Sequence, residues 1–581
     1  YGGMENAGAT FLNEDAVLFP SEPTANNYLS RAQVILHETA HQWFGDLVTM
    51  RWFDDLWLKE GFATFMAAKA ARKVMPGYNT WKAFYLRTKP AAYITDSTKG
   101  TTPIWQEIRN LSAAKSAYGN IVYNKAPSML HQAEFYLGSE NFQRAIQLFV
   151  KEHAYGNARW SDLVGDFERT SGLKLASWAD AWVKRRGMPD ITVGLQISGD
   201  KITHLTLRQS DLLDEGGIWP MRLKVLLAYD DSKPIVIDVT LTGKVQEVKE
   251  AAGLHAPLYV FANYEDYGYG RFLLDDTSRA VVIEHLGNIK NDFLRALLWG
   301  SLWDSVRAAK LAPLDYLGLG IKLVGQETDE VMVQSILDHV DTAFNRYLSP
   351  NQQRELAPKV ESLLYDKMMN SASKGLRITY FRAFHDVAAS QNALSKLSDL
   401  LSGRLTVPGV QLRPRDRYDL IRRLLSCGAA DGSALLEKES KTDKSDEGRR
   451  YSYSTGAAVN DPGVKKRYFD DYLQNREVPE SWIEASLDPF NSIEQSNLSL
   501  PFLAQALAAL PQMKRTRKIF FVNRWLGAFA NGQCNRAALE VFERFLQREQ
   551  IDRDLKLKTL EVEDGLDRCV RIREKYGNRA S

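Results

Sequence analysis

Two periods of apolar residues divide this chain. Between residues 189 and 275 they alternate. Ile191, Val193, Leu195 and Ile197 form one such run, Leu223, Val225 and Leu227 a second, and Ile235, Ile237 and Val239 a third. Alternation puts the apolar side chains on one face of a strand. Ser198-Gly199-Asp200 and Tyr229-Asp230-Asp231 read as turns between strands, and six or seven short strands predict a small β-sandwich. From residue 278 to the end the spacing is helical, as in Leu294, Leu297, Leu298, Leu302 and Val306, or Val331, Val333, Ile336 and Val340. Polar or Gly/Pro breaks recur there, which fits paired helices stacked as an irregular α-solenoid. The charged stretch from Glu437 to Arg450 reads as a solvated loop. Residues 78–187 read as mostly helical, with Thr102-Pro103 opening one helix. Near the start, Ala9–Leu12 and Ala16–Phe19 flank Asn13-Glu14-Asp15 and read as a hairpin.

One helical segment carries chemistry. His37-Glu38-Thr39-Ala40-His41 is the pattern H-E-x-x-H. Positions i and i+4 share a helix face, so both imidazoles can reach one ion. Glu38 stands beside the first histidine, where it can act as general base on a water. Catalytic zinc usually takes three protein ligands and keeps one position open. Glu60 supplies the third, with eighteen residues between His41 and Glu60, enough to end one helix and bring a second one back. Ser30 and Gln33 resemble a capping box opening the first helix, Gly45 a stop after it, and Asp54 or Asp55 a cap for the second, which ends near Met75-Pro76-Gly77. Leu56, Glu60, Ala63 and Ala67 share one face of that second helix. A carboxylate there is costly to bury without a partner, and a metal ion removes the cost.

Composition narrows the class. The chain has 581 residues, 44% hydrophobic and 25% charged, with a net charge of +2. That length suits two to four domains, and the charge gives no reason to expect nucleic acid. No run of eighteen apolar residues exists, so no transmembrane helix is expected. Cys427, Cys534 and Cys569 are odd in number and far from the histidines. They read as buried or free thiols, which favours a reducing, cytoplasmic compartment. The chain opens at Tyr1 inside a motif and without a signal-peptide pattern, so a natural N-terminus is expected upstream and export stays open.

Residues 41–63, HQWFGDLVTMRWFDDLWLKEGFA, are similar throughout to the signature of the gluzincin aminopeptidases of the aminopeptidase N family. Gly2-Gly3-Met4-Glu5-Asn6 resembles that family's G-x-M-E-N motif, Tyr123-Asn124-Lys125-Ala126 its Y-x-K-G segment with alanine for glycine, and the stretch from Ser171 the end of its catalytic domain. The resemblance implies a multidomain α+β protein. A thermolysin-like catalytic domain would span 1–188, a β-sandwich 189–277, and a helical domain 278–581 that arches over the active site. The family's N-terminal β-domain has no counterpart in this numbering.

The implied site holds one Zn2+ per chain on His37, His41 and Glu60, with Glu38 as general base. Tyr123 would be the donor to the oxyanion, with Tyr118 as rival. Gly2 to Asn6 would form an edge strand that aligns substrate, with Met4 bordering the pocket for the first side chain and Glu5 pairing with the substrate's α-ammonium. The implied activity is removal of the first residue from peptides with a free N-terminus. Arg185-Arg186 could meet a substrate carboxylate but reads better as a solvated helix end. The alternatives are an epoxide hydrolase of the leukotriene A4 hydrolase type, against which the β-domain argues, a zinc endopeptidase, which has no need of Glu5, and a non-catalytic scaffold relative.

Overall fold

A computed structural model describes residues 2–230, 233–517, 520–548 and 550–579. The chain divides into two compact units. One is Tyr1–Val17 with Leu29–Ala308, and the other is Leu18–Tyr28 with Ala309–Ser581.

In the first unit, a hairpin precedes the metal-motif helix, but not the hairpin expected. Gly3–Met4 pairs antiparallel with Phe11–Leu12, and Glu14–Val17 is a helical turn. The Asn13 side chain accepts from Asp15 N at 2.8 Å, and two acidic residues sit where a helix start favours negative charge. That local preference defeats a strand over residues 16–19.

The following helix, Ala25–His41, begins five residues before the Ser30–Gln33 box. Its entry is set by Asn27, whose side-chain oxygen accepts from Thr24 N at 2.9 Å and Thr24 Oγ1 at 3.0 Å. Ser30 lies inside the helix and accepts from Arg87.

The second helix runs Trp57–Val74 after a short 3-10 turn over Phe53–Asp55, and it has no side-chain cap. Asp54 instead accepts from Ile108 N at 2.7 Å, and Asp55 is buried. Thr102-Pro103 lies outside any helix, Trp105 N donates to Val183 O at 2.9 Å, and the next helix is Leu111–Ala117, capped by Asn110.

Among the described residues, seven strands lie between Pro189 and Phe272. Met221–Ala228 is central to a three-stranded antiparallel sheet, flanked by Tyr259–Phe261 and Ile235–Leu241. Pro189–Ser198 and Lys201–Asp211 form the middle of a four-stranded sheet, edged by Val245–Glu247 and, in parallel, Arg271–Phe272. The alternating residues bury Leu223, Val225 and Leu227 as the pattern requires, and Trp219 and Tyr269 are fully enclosed. Of the second turn signal, Asp231 lies outside the described residues.

The second unit is helical. Trp525, Phe529, Phe490 and Tyr472 meet in one core. Residues 18–28 join this unit through Arg382, which donates to Ser21 Oγ at 3.0 Å and Glu22 O at 2.7 Å, and through Ala25 N on Glu330 Oε2 at 2.9 Å. The stretch Glu437–Arg450 is not a loop. It lies in helices Gly432–Thr442 and Asp446–Gly456, the second capped by Ser445. Glu439 is buried and accepts two 2.7 Å bonds from Arg417, which gives the charged segment a packed face that its composition conceals.

The cysteine reading is corrected as well. Cys534 and Cys569 form a disulfide across a Cα separation of 5.5 Å, and Cys427 is free. Cys534 lies in the loop between helices Phe521–Asn531 and Arg536–Leu546, and Cys569 lies on helix Arg553–Tyr576, a pairing that a spacing of 35 does not announce. This disulfide removes the reason to expect a reducing compartment. Among the described residues no helix is long and apolar enough to cross a membrane.

Candidate metal centre and active site

The last turn of Ala25–His41 brings His37 and His41 to one face, with their Nε2 atoms 3.0 Å apart. From the first turn of Trp57–Val74, Glu60 Oε2 comes to 3.3 Å from each of them. The other ring nitrogens are taken. His41 Nδ1 is 2.9 Å from Phe44 O, and His37 Nδ1 is 3.2 Å from Thr64 Oγ1. A proton on His41 Nδ1 leaves its Nε2 lone pair facing the centre, the outer-shell arrangement typical of metal-ligating histidine.

Glu60 is 3% exposed. Burial opposes its ionisation, but the two imidazoles and the Lys59 ammonium outweigh burial and hold the carboxyl well below the usual range. Two imidazole nitrogens and one ionised oxygen therefore converge in a buried pocket, and they fit a divalent cation with a preference for nitrogen and oxygen ligands. Glu5, Glu38 and His41 form a second convergent group. In that group the Glu5 carboxylate is already paired with Lys59.

Glu38 is 5% exposed, and burial raises its pKa above the ordinary carboxyl value against the pull of both histidines. Gly3 crosses directly above it. A Cβ on Gly3 would lie 2.4 Å from Glu38 Oε1, so the strand can approach this close only without a side chain. Gly2 sits over Val34, Met4 pairs with Phe11, and Asn6 closes the turn by accepting Ala9 N at 2.9 Å. Glu5 reaches into the site. Burial is outweighed by its hydrogen bond and charge pairing with Lys59, and its pKa is lowered.

Tyr123 stands on a π turn, Ile121–Lys125, and its ring centroid is 6.1 Å from that of His37. Burial, then the Glu60 charge, push the phenol pKa far above its ordinary value, so the hydroxyl keeps its proton and remains a donor. The Tyr118 ring lies 6.4 Å from that of Tyr123. The turn is anchored from behind. Lys125 and Asp96 form a fully buried pair at 2.9 Å, with Lys125 also donating to Gly187 O at 2.8 Å.

Arg186 pairs with Glu215 and donates to Lys99 O and Thr101 O, while Arg185 lies over the Trp219 ring. Neither position needs a substrate carboxylate.

Lys59, Thr64 and Asp96 are the residues that motif reading passes over. Lys59 carried a signal. It is a cation in the first turn of a helix, where the macrodipole disfavours one, so a partner was to be expected.

Residues 1–182 match the Peptidase family M1 domain, and residues 259–569 match the ERAP1-like C-terminal domain. An Aminopeptidase N from Streptomyces lividans is 31% identical over 98% of this chain and 68% of its own length. The chain belongs to peptidase family M1. This M1 peptidase is thereby a peptide-bond hydrolase by family.

It is also similar to a Leucyl aminopeptidase of Saccharolobus solfataricus, 28% identical over 68% of this chain and 48% of the relative. A Tricorn protease-interacting factor F2 of Thermoplasma volcanium is 30% identical over 61% of this chain and 42% of the relative. The M1 chain thus spans about two thirds of the Streptomyces protein and under half of these other two.

Proposed function

We propose that this M1 peptidase is a zinc aminopeptidase that removes the N-terminal residue from peptides with a free amine. The observation that carries the reading is the position of Glu5. One of its oxygens, a Glu38 oxygen and a His41 nitrogen lie within 4.8 Å of one another. A peptide's α-ammonium sits on the same residue as the first scissile carbonyl, one Cα away from it, so an anchor for it must stand next to the metal centre. An endopeptidase gains nothing from a carboxylate there.

His37, His41 and Glu60 would hold one ion. Zinc, when bound, supplies Lewis acidity at the scissile carbonyl and at the attacking water. Glu38 takes a proton from that water at its carboxylate as the C–O bond forms, and delivers it to the leaving nitrogen as the C–N bond breaks. The raised pKa of Glu38 suits both halves of this transfer. Tyr123 donates its hydroxyl to the carbonyl oxygen as charge develops there. Glu5 pairs with the α-ammonium, the backbone at Gly2 and Gly3 aligns the substrate by strand addition, and Met4 borders the first side chain.

The same reading assigns residues 1–188 to a thermolysin-like catalytic domain, 189–277 to a β-sandwich and 278–581 to a helical solenoid. The strands described between Pro189 and Phe272, and the helices that follow from Asp276, support those boundaries.

The test is release of a fluorophore from an aminoacyl amide, alongside metal analysis. Activity should require one zinc per chain, vanish with chelator and return with zinc. Equal cleavage of the N-acetylated amide would remove the aminopeptidase reading.

A further inference from the structure

Lys59 bridges two carboxylates of the site. Its Nζ pairs with Glu5 Oε1 and lies 3.0 Å from Glu60 Oε1. That is the Glu60 oxygen turned away from the histidines, since Oε2 makes both 3.3 Å approaches. The lysine is enclosed, with its side chain 15% exposed. The Glu5 backbone is held as well, its carbonyl accepting from Gln42 Nε2 at 3.5 Å. Nearby stands Asp46, whose Oδ2 is buried without a hydrogen-bond partner among the described residues and whose carboxyl feels the Glu5 charge.

An ammonium seated on Glu5 is chemically the same group as the α-ammonium of a peptide. We propose that Lys59 is an internal stand-in for that group: it neutralises Glu5 in the free enzyme and yields Glu5 to an incoming peptide N-terminus. The inference rests on Glu5 being the amine anchor.

Two features make the exchange feasible. Without a cation, Glu5 would be a half-buried carboxylate beside Glu38 and Asp46, an arrangement that costs free energy. On displacement, Lys59 keeps its second partner at Glu60 Oε1, so no charge is stranded. Lys59 thereby moderates the affinity of the amine site. A ligand that takes Glu5 must replace the cation it removes, which an ammonium does and a neutral amide does not. Free amines still compete with Lys59, and their affinity is reduced by that competition.

The experiment measures binding to the zinc-loaded chain by calorimetry, with leucine amide and its desamino counterpart 4-methylpentanamide as probes. The wild type should favour leucine amide. Lys59→Met, which leaves Glu5 without its competitor, should increase that preference about tenfold, the size expected for losing one like charge at a partly screened site. Lys59→Gln should do the same and covers failure of the methionine variant to fold. An unchanged or smaller preference in the folded variant overturns the stand-in role and makes Lys59 a support that holds Glu5 in place. Glu5→Gln separates the two layers. If it abolishes the preference while Lys59→Met leaves it unchanged, the anchor stands and the stand-in falls. If Glu5→Gln retains the preference, the amine-anchor reading fails, and this inference with it.

Discussion

Gly61 lies against Ala126, so close that a Cβ built on the glycine would be 2.8 Å from the alanine Cβ and 3.4 Å from Val122 O. Gly61 follows the candidate ligand Glu60, and Ala126 follows the π turn that carries Tyr123. The ligand helix and the tyrosine turn therefore touch backbone to backbone. Gly61→Ala should push them apart. Overpacking of this kind costs about 1–3 kcal/mol of stability. The functional cost should appear as a fall in kcat of about tenfold, because a misplaced donor loses transition-state contact. Steady-state kinetics and thermal melting check both, and an unchanged kcat would show that the turn absorbs the methyl group.

Tyr123→Phe removes one hydroxyl and little volume. Loss of one preorganised oxyanion donor lowers kcat by about 100- to 1000-fold. KM and zinc content should stay near wild type. Glu38→Gln should also keep the metal and lose turnover. Full activity in either variant removes the role assigned to that side chain.

Thr64→Val deletes the hydroxyl beside His37 Nδ1, 3.2 Å away. Loss of such an outer partner typically weakens metal binding about 10- to 100-fold. Competition with a chromophoric chelator measures this directly. An unaltered affinity would mean that Thr64 does not orient the ring.

Asp55 makes stability pH-dependent. It is 4% exposed, Oδ1 has no hydrogen-bond partner among the described residues, and burial raises its pKa to about 7 against a backbone hydrogen bond from Trp160. The unfolded value is about 4. The folded chain therefore binds the proton more tightly. Its contribution to stability is fully present below about pH 4 and is lost as pH rises through about 7. Between pH 5 and pH 8 the loss should be roughly 2 kcal/mol. Asp55→Asn should flatten that slope, as read from urea midpoints at the two pH values. A slope as steep as wild type would assign the dependence to another group.

Much of the site could be read from the chain because its geometry is local. His37, Glu38 and His41 are brought together by the pitch of one helix, and the strands announce themselves because alternation follows from the pleat. Glu60 needed only a return helix of the right length. Helix starts were less legible, since Thr24 with Asn27 competed with the better-looking Ser30 and Gln33. Local hydrogen bonding decided between the two signals.

The sequence by itself determined the grouping of His37, His41 and Glu60 as candidate metal ligands, the alternation and the family signature. Tertiary structure alone decided that Lys59 meets Glu5, that Gly61 abuts Ala126, that Asp96 anchors the tyrosine turn and that Cys534 pairs with Cys569. Most of these contacts join residues tens of positions apart, where no backbone period links the partners. Which side chains meet at such a range depends on how whole elements pack. Glu60 and Lys59 are neighbours on one helix turn, yet one could be read from its spacing to a motif, while the other's partner was fixed only by the carboxylates that packing brought to it.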